Sequence, residues 1–202
     1  VEAVDLCPEV AIGLGVPRPP IRLVRGEGLR LVQPSTGREL TEAMTSYTAQ
    51  TLHDVGPLDG AVLKSRSPSC GLGDTKIYDT VEADDPIDRG HGLFARGVSA
   101  ALSGLAITDE ARLADSAHRG AFLARLFTLS LLRDTTAPTP DLVSHLRRLL
   151  ADDEAYHRVT LEVALARTET TSLREAIADA LQRGPRRASG APTLYPEALD
   201  SP

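Results

Sequence analysis

The chain has 202 residues, of which 42% are hydrophobic, a content that is ordinary for a folded globular protein and argues against disorder throughout. Its formal net charge of -6 argues against binding duplex nucleic acid through phosphates, because such binding requires clustered positive charge. The sequence shows no apolar run of membrane-spanning length and no secretory signal pattern, so we expect a cytoplasmic protein whose partners are small molecules or proteins.

The sequence contains two cysteines, Cys7 and Cys70. A disulfide framework is not indicated by so few cysteines, and in a reducing compartment we interpret the two sulfurs as thiols or metal ligands. The chain begins at Val1 rather than at methionine, and it enters an apolar run directly. We therefore expect it to be a fragment.

The first predicted element is a strand over residues 1–6, where apolar and polar residues alternate and valines recur. This strand ends at Cys7-Pro8-Glu9, because a proline cannot continue a central ladder. A segment rich in glycine and proline follows, and residues 21–32 predict a short hairpin that turns at Gly26 and Gly28.

The next elements are a helix over residues 39–55 and a strand over residues 60–64. Strand, helix and strand form a βαβ unit with parallel strands, which predicts an α/β fold with an open parallel, Rossmann-like sheet. Ligands bind such sheets at the carboxyl ends of the strands. Since both cysteines follow predicted strands, we expect Cys7 and Cys70 to meet at that edge.

The second half of the chain reads as an all-helical extension. A helix over residues 92–104 closes the first domain, and two or three further helices are predicted, over residues 115–133, 140–152 and about 153–183. The last segment is rich in proline, glycine, alanine and arginine, so we expect a mobile tail. The predicted division is an α/β domain over residues 1–106, a helical region over 107–183 and a tail over 184–202.

Two short motifs are candidates for chemistry. In Cys7-Pro8-Glu9, a cysteine beside a stiffened turn and a carboxylate suits a metal ligand next to an acid or base. The alternative is a buried, unreactive cysteine with a surface glutamate. The loop over residues 65–71 places Ser67, Ser69 and Cys70 before a glycine, which is poor packing material and favours a site. Its alternative is a surface turn whose serines cap the next helix.

The remaining polar residues give weaker signals. The five histidines show no ligand spacing with one another or with the cysteines, and we interpret most of them as solvated. Asp84, Asp85 and Asp88 lack the ordered ligand series of a calcium loop, which favours a hydrated acidic loop.

Five sequence blocks follow one another in the first half of the chain: residues 7–10 with 13–23, then 36–41, 63–71, 76–79 and 89–95. In this order they resemble the domain family of thiouracil desulfidase. The resemblance implies an α/β domain that holds a [4Fe-4S] cluster through three cysteines and leaves one iron open. It also implies a non-redox desulfuration, in which the open iron binds the sulfur of a thiolated base and water attacks the carbon.

Residue by residue, the resemblance implies that Cys7 and Cys70 are two of the cluster ligands. Glu9 is implied as the catalytic proton-transfer residue or water orienter, and Ser67, with Ser69, as the residues that hydrogen-bond the substrate. Members of the family start with a further strand and a loop that supplies the first cluster cysteine, and we expect this chain to lack both.

Two alternatives stay open. One is a non-catalytic scaffold that keeps the fold without a complete cluster and binds a partner through its helical half. The other is a zinc or mononuclear iron site that uses Cys7, Cys70 and one oxygen or nitrogen ligand. The sequence indicates neither the substrate nor the oligomeric state.

Overall fold

A computed structural model describes residues 3–56, 58–102, 105–135, 139–140 and 171–182, with single positions 142, 144, 161 and 165. Contacts divide the chain into two compact units, Val1–Leu123 and Ala124–Pro202. The predicted tail over residues 184–202 lies outside the described residues, as does most of the predicted helix over residues 140–152.

The first unit contains a five-stranded sheet, whose strands are β1 (Arg22–Arg25), β2 (Leu29–Gln33), β3 (Arg38–Glu39), β5 (Thr75–Tyr78) and β6 (Asp88–Gly90). They lie in the order β3-β2-β1-β5-β6. β1 and β2 form the predicted antiparallel hairpin, in which Leu23 is paired with Leu31, and both side chains are fully buried. β1 also pairs with β5 in parallel, so the hairpin continues into a mixed sheet.

A helix covers the core of this sheet. α2 (Thr41–Asp54) confirms the predicted helix, and Gly56 follows its end with a φ of +65°. Met44 on α2 is fully buried in a cluster with Leu23 and Leu31. Burying each such side chain contributes roughly 1.5 to 3 kcal/mol relative to leaving it exposed.

The parallel βαβ unit of the protein is built from β4 (Gly60–Leu63), α3 (Leu93–Ala101) and β7 (Ala106–Asp109). β4 and β7 pair in parallel and form a two-stranded sheet, with α3 in the connection between them. The α/β fold with parallel strands is therefore confirmed, and β7 continues it beyond residue 106. α3 packs on α2, where the rings of Tyr47 and Phe94 stack with centroids 6.1 Å apart.

The strand predicted over residues 1–6 is wrong for its described part, because residues 3–6 form no strand. Val4 and Leu6, which created the alternating pattern, are 61% and 45% exposed. An alternation of apolar and polar residues predicts a strand only where a neighbouring strand can pair with it and its apolar face can be buried in a core. The chain instead forms a one-turn helix, α1 (Pro8–Ala11), directly after this segment.

Helices follow the α/β elements. α4 (Ser116–Asp134), which is shared between the two units, confirms the helix predicted over residues 115–133. α5 (Thr171–Gln182) lies in the second unit, where Leu173 and Ile177 are fully buried one turn apart. Within the described part of the chain, no helix has both the length and the apolar character needed to cross a membrane.

Candidate functional site

The first site motif lies at the start of α1. Cys7 occupies the N-cap position with an extended backbone, and Pro8 follows at the first helical position, where its fixed φ suits a helix start. The backbone N–H of Ala11 donates to the carbonyl of Cys7 at 3.0 Å, which closes the turn. The expected position of Cys7 at the end of a strand is wrong, because residues 3–6 form no strand; its side chain is exposed.

The second motif is the loop that follows β4. The Ser67 hydroxyl accepts hydrogen bonds from the backbone N–H groups of Ser69 at 3.1 Å and Cys70 at 3.2 Å. The Ser67 carbonyl accepts from the N–H of Gly71 at 2.9 Å and from the hydroxyl of Thr75 at 2.8 Å. These bonds hold the loop in one conformation, and they place Cys70 beyond the carboxyl end of a parallel strand, as predicted.

The loop is also bound to the start of α3. The N–H groups of Leu93 and Ala95 donate to the carbonyls of Pro68 at 3.0 Å and Ser69 at 2.9 Å. Two N–H groups in the first turn of α3 are therefore hydrogen-bonded to loop carbonyls. The serine hydroxyls do not cap α3, which the alternative interpretation requires. A Cβ atom on Gly92 would lie 2.4 Å from the carbonyl carbon of Ser69, so glycine is required for this close approach.

Glu9 brings the two motifs together. Its Oε1 accepts hydrogen bonds from the hydroxyls of Ser67 at 3.2 Å and Ser69 at 3.0 Å. Its Oε2 accepts from Nε of Arg18 at 2.6 Å, and the Glu9 side chain is 15% exposed. Four of the residues singled out in the sequence, Glu9, Ser67, Ser69 and Cys70, therefore lie in one hydrogen-bonded group.

Arg18 connects this group to Cys7. Its Nη1 donates to the carbonyl of Gly15 at 2.9 Å, and its Nη2 lies 3.8 Å from Sγ of Cys7. Partial burial lowers the pKa of Arg18, but the hydrogen bond to Glu9 and the charges of Glu9 and Cys7 outweigh it, so the pKa is raised. The site consequently holds a permanent cation between a carboxylate and a thiol.

The Cys70 thiol is far less acidic than a free cysteine. Burial raises its pKa to about 11, and the charges of Glu9 and Cys7 act in the same direction, against hydrogen bonds from the Lys64 backbone and Ser67. At neutral pH the metal-free side chain is therefore a protonated thiol. A metal that binds this sulfur must displace the proton, as is usual for thiolate ligands.

The donor set fits part of an iron–sulfur site. Cysteine thiolates are the usual ligands of such clusters, and Cys7 and Cys70 both border the group around Glu9 and Arg18. The sequence contains no third cysteine. Among the described residues, no three or more histidine, cysteine, aspartate or glutamate side chains are grouped to hold a metal ion. A mononuclear site made of Cys7, Cys70 and a third such side chain is therefore not formed within them.

An open cleft of about 370 Å³ lies beside the carboxylate. Its walls combine the polar groups of Glu9 and Arg18 with an apolar surface, formed by Pro19, Pro20, Ile21 and Pro68.

Ser69 is fully buried, and its hydroxyl donates to Glu9. The structure therefore favours contact of this serine with Glu9 over direct contact with a ligand.

Two residues near the site had no role in the sequence interpretation. Arg18 belongs to one of the resembling blocks, but its pairing with a residue nine positions away gives no sequence signal. The Glu110 carboxylate accepts hydrogen bonds from the Ser65 N–H and hydroxyl, both at 2.8 Å, and forms an ion pair with Lys64. These bonds lower the pKa of Glu110 to about 2, the ion pair with Lys64 contributing most, and they attach the start of the serine loop to the end of β7.

His53, His118 and the acidic loop lie outside this group, and His145 and His157 are not among the described residues. His53 is largely exposed and pairs with Asp54, and His118 contacts the hydroxyl of Thr108 at 2.9 Å. Asp84, Asp85 and Asp88 are exposed. None of these residues makes a described contact with the group around Glu9.

The fold and the site define an α/β protein in which two thiols flank a carboxylate fixed by hydrogen bonds. The model of the 2-thiouracil desulfurase family matches residues 1–110, and the chain belongs to this family. This membership supports a desulfurase role. Among solved structures, a chain described as [4Fe-4S]-dependent thiouracil desulfidase TudS is similar at 27% sequence identity and a TM-score of 0.40, covering 57% of this chain and 72% of that one. No curated protein matches the chain significantly.

Proposed function

We propose that this protein removes sulfur from a thiolated nucleobase or a similar small thiocarbonyl compound by hydrolysis, with no net oxidation or reduction. One observation carries the proposal: the Glu9 carboxylate is held by Ser67, Ser69 and Arg18 in a group that also includes both cysteines. Family membership supports the same reaction class. A fixed carboxylate beside two thiols suits proton transfer next to a metal centre.

We propose Cys7 and Cys70 as two ligands of a [4Fe-4S] cluster, with the third thiolate coming from outside these 202 residues. When bound, such a cluster supplies a Lewis-acidic iron that polarises the carbon–sulfur double bond. The raised pKa of Cys70 is compatible with this role, because cluster assembly replaces the thiol proton by iron.

Glu9 is proposed to accept a proton from the attacking water. Water adds to the thiocarbonyl carbon, a carbon–oxygen bond forms and the carbon–sulfur bond breaks. The thiocarbonyl compound and water thus become the carbonyl compound and hydrogen sulfide, so that atoms balance and no electron acceptor is needed. A positioned general base of this kind contributes typically 10² to 10⁴-fold to a rate.

The serines are proposed to act mainly by orienting Glu9. The Ser67 hydroxyl donates once and accepts twice, so its hydrogen-bonding capacity is used in the absence of a ligand. Ser69 is buried and donates to the same carboxylate oxygen. The substrate-binding role implied by the resemblance stays a prediction for both residues, and for Ser67 it requires one of these bonds to be exchanged.

The cleft is proposed as the binding place of a flat, uncharged ring. Its volume of about 370 Å³ is at the lower end of the range of small-molecule sites. Proline rings offer apolar walls, and Glu9 and Arg18 form the polar side of the cleft. A cleft of this volume accommodates a compound of the size of a nucleobase.

A second candidate, the non-catalytic scaffold, is favoured by the cysteine count alone. A cubane cluster with three protein ligands needs one thiolate more than the two in this sequence. In this case the hydrogen bonds of Glu9 stabilise the junction of α1 with the serine loop and have no chemical role.

Anaerobic reconstitution with iron and sulfide separates the two candidates. We propose to compare the 202-residue chain with a longer chain that carries any natural sequence preceding Val1, with Cys7→Ser and Cys70→Ser of the longer chain as controls. The desulfurase proposal predicts a stable cubane absorption in the longer chain, with an electron paramagnetic resonance signal after chemical reduction of the cluster, and loss of both in the two serine variants. It also predicts sulfide release from a thiouracil-like compound, with oxygen from labelled water in the product. A longer chain that binds no cluster and releases no sulfide favours the scaffold.

A further inference from the structure

The hydrogen bonds of Glu9 leave its two oxygens unequal. An ionised carboxylate has about two acceptor positions on each oxygen. Both positions on Oε1 are used, by the hydroxyls of Ser67 and Ser69. Oε2 accepts from Arg18, which leaves one position open. A water molecule that gives a proton to Glu9 therefore meets Oε2, the oxygen bound to Arg18.

Arg18 is itself held by two hydrogen bonds, one to Glu9 and one to the backbone. Its Nε donates to Glu9, and its Nη1 donates to the carbonyl of Gly15, so two donors of one planar group are held at 2.6 and 2.9 Å. Arg18 and Glu9 both line the cleft. The plane of the guanidinium consequently sets where the open position of Oε2 points.

We propose that Arg18 is a positioning residue that fixes Oε2 of Glu9 as the proton acceptor of the desulfuration. This inference rests on the proposed function of the site. It assigns to Arg18 no contact with the substrate and no proton of its own. It also accounts for an arginine at this position. The planar guanidinium donates in two fixed directions, which the flexible ammonium group of a lysine cannot do.

The kinetic test compares Arg18→Gln and Arg18→Lys with Arg30→Gln in the cluster-loaded full-length protein. Arg30 on β2 is a matched control, since it also donates through Nε to a glutamate, Glu39 on β3. We expect kcat to fall by about 10 to 100-fold in Arg18→Gln and less in Arg18→Lys, with KM changed by less than about threefold. Arg30→Gln is expected to leave both constants unchanged, and cluster content to be equal in all four proteins.

Chemical rescue distinguishes positioning from a structural role. In Arg18→Gly, added guanidinium ion is expected to restore part of the lost kcat in a saturable way, whereas ammonium ion is not. A loss of kcat without rescue, in a variant with equal cluster content, contradicts positioning by the planar cation. A rise in KM with unchanged kcat also contradicts it, because that pattern belongs to a residue that binds the substrate directly.

A crystal structure of the metal-free Arg18→Gln protein gives a readout that needs no activity. The proposal predicts that the Glu9 carboxylate rotates, so that Oε1 no longer accepts from both serine hydroxyls. An unmoved carboxylate overturns the role of Arg18. If the wild-type protein releases no sulfide, the proposed function fails separately, and this structure still decides whether Arg18 positions Glu9.

Discussion

The Ser69 hydroxyl donates to the Glu9 carboxylate at 3.0 Å although the two residues lie 60 positions apart in the chain. Ser67 donates to the same oxygen at 3.2 Å. α1 and the loop after β4 are thus joined by one carboxylate, and each cysteine lies next to this junction. The geometry of the site therefore depends on Glu9 and on the backbone of the serine loop.

The two serines differ in what their removal costs. Ser67→Ala removes a donor to Glu9 and also the acceptor of two backbone N–H groups, so we expect unfolding to become easier by about 1 to 3 kcal/mol. Ser69→Ala removes the donor alone, and we expect a smaller loss of stability. Chemical denaturation of both variants, with Ser46→Ala on the exposed face of α2 as control, measures the difference. Equal losses in Ser67→Ala and Ser69→Ala contradict this ranking.

The approach of Gly92 to Ser69 predicts that Gly92→Ala damages the site. The added Cβ would lie within 2.5 Å of the Ser69 carbonyl, so the loop or the start of α3 must move. We expect a loss of roughly 1 to 3 kcal/mol in stability and lower cluster occupancy after reconstitution. Gly28→Ala is the matched control, because nothing lies within 4 Å of a Cβ at that hairpin position. A Gly92→Ala protein with normal occupancy and stability would show that the close approach is dispensable.

The two thiols should react very differently in the metal-free protein. Because the pKa of Cys70 is about 11, only about 10⁻³ or less of it is thiolate near neutral pH, whereas Cys7 is exposed. Alkylation followed by mass spectrometry should modify Cys7 first. The rate at Cys70 should rise about tenfold per pH unit through the alkaline range and level off only near pH 11. Equal rates for the two cysteines at pH 7.5 contradict the partial burial and the raised pKa of Cys70.

Glu110 predicts a pH-dependent contribution to stability. Its folded pKa of about 2 lies below its ordinary value, so its contribution is present above about pH 4.5 and is lost as the pH falls towards 2. We expect Glu110→Gln to lower the melting temperature at pH 7, with the difference from wild type shrinking between pH 4.5 and 2. Asp85→Asn on the exposed acidic loop serves as control. A difference that is constant over this range rules out the carboxylate as its source.

The sequence singled out residues that the structure brings into one hydrogen-bonded group, but it predicted the strand pairing only in part. Two compact motifs contain the residues singled out in the sequence: Cys7, Glu9, Ser67, Ser69 and Cys70. Their polar and thiol side chains do not suit an apolar core, so each motif could be recognised without knowing which residues it contacts. Arg18 could not, because its role depends on the turn that returns the chain to Glu9. β3 and β6 are only two and three residues long, too short to give a periodic signal. The alternation of apolar and polar residues over residues 1–6 gave a false strand signal, since residues 3–6 form no strand.

Topology explains the remaining difference. The predicted parallel partner of β4 was the segment over residues 1–6, and the observed partner is β7. β7 consists of four residues, Ala106–Asp109, and ends with a buried threonine and a buried aspartate. Such a short strand with polar residues at its end gives no apolar pattern from which it could be predicted. The parallel pairing was therefore predicted for the correct strand, β4, but with the wrong neighbour.

The most direct test of the central claim is sulfide release by cluster-loaded Glu9→Gln compared with wild type at equal iron and sulfide content. The matched control is Glu42→Gln, which removes an exposed carboxylate in the first turn of α2. The proposed mechanism predicts that Glu9→Gln keeps substrate affinity but loses about 10² to 10⁴-fold in kcat, while Glu42→Gln is unchanged. Turnover of a thiouracil-like compound by Glu9→Gln at the wild-type rate would contradict it.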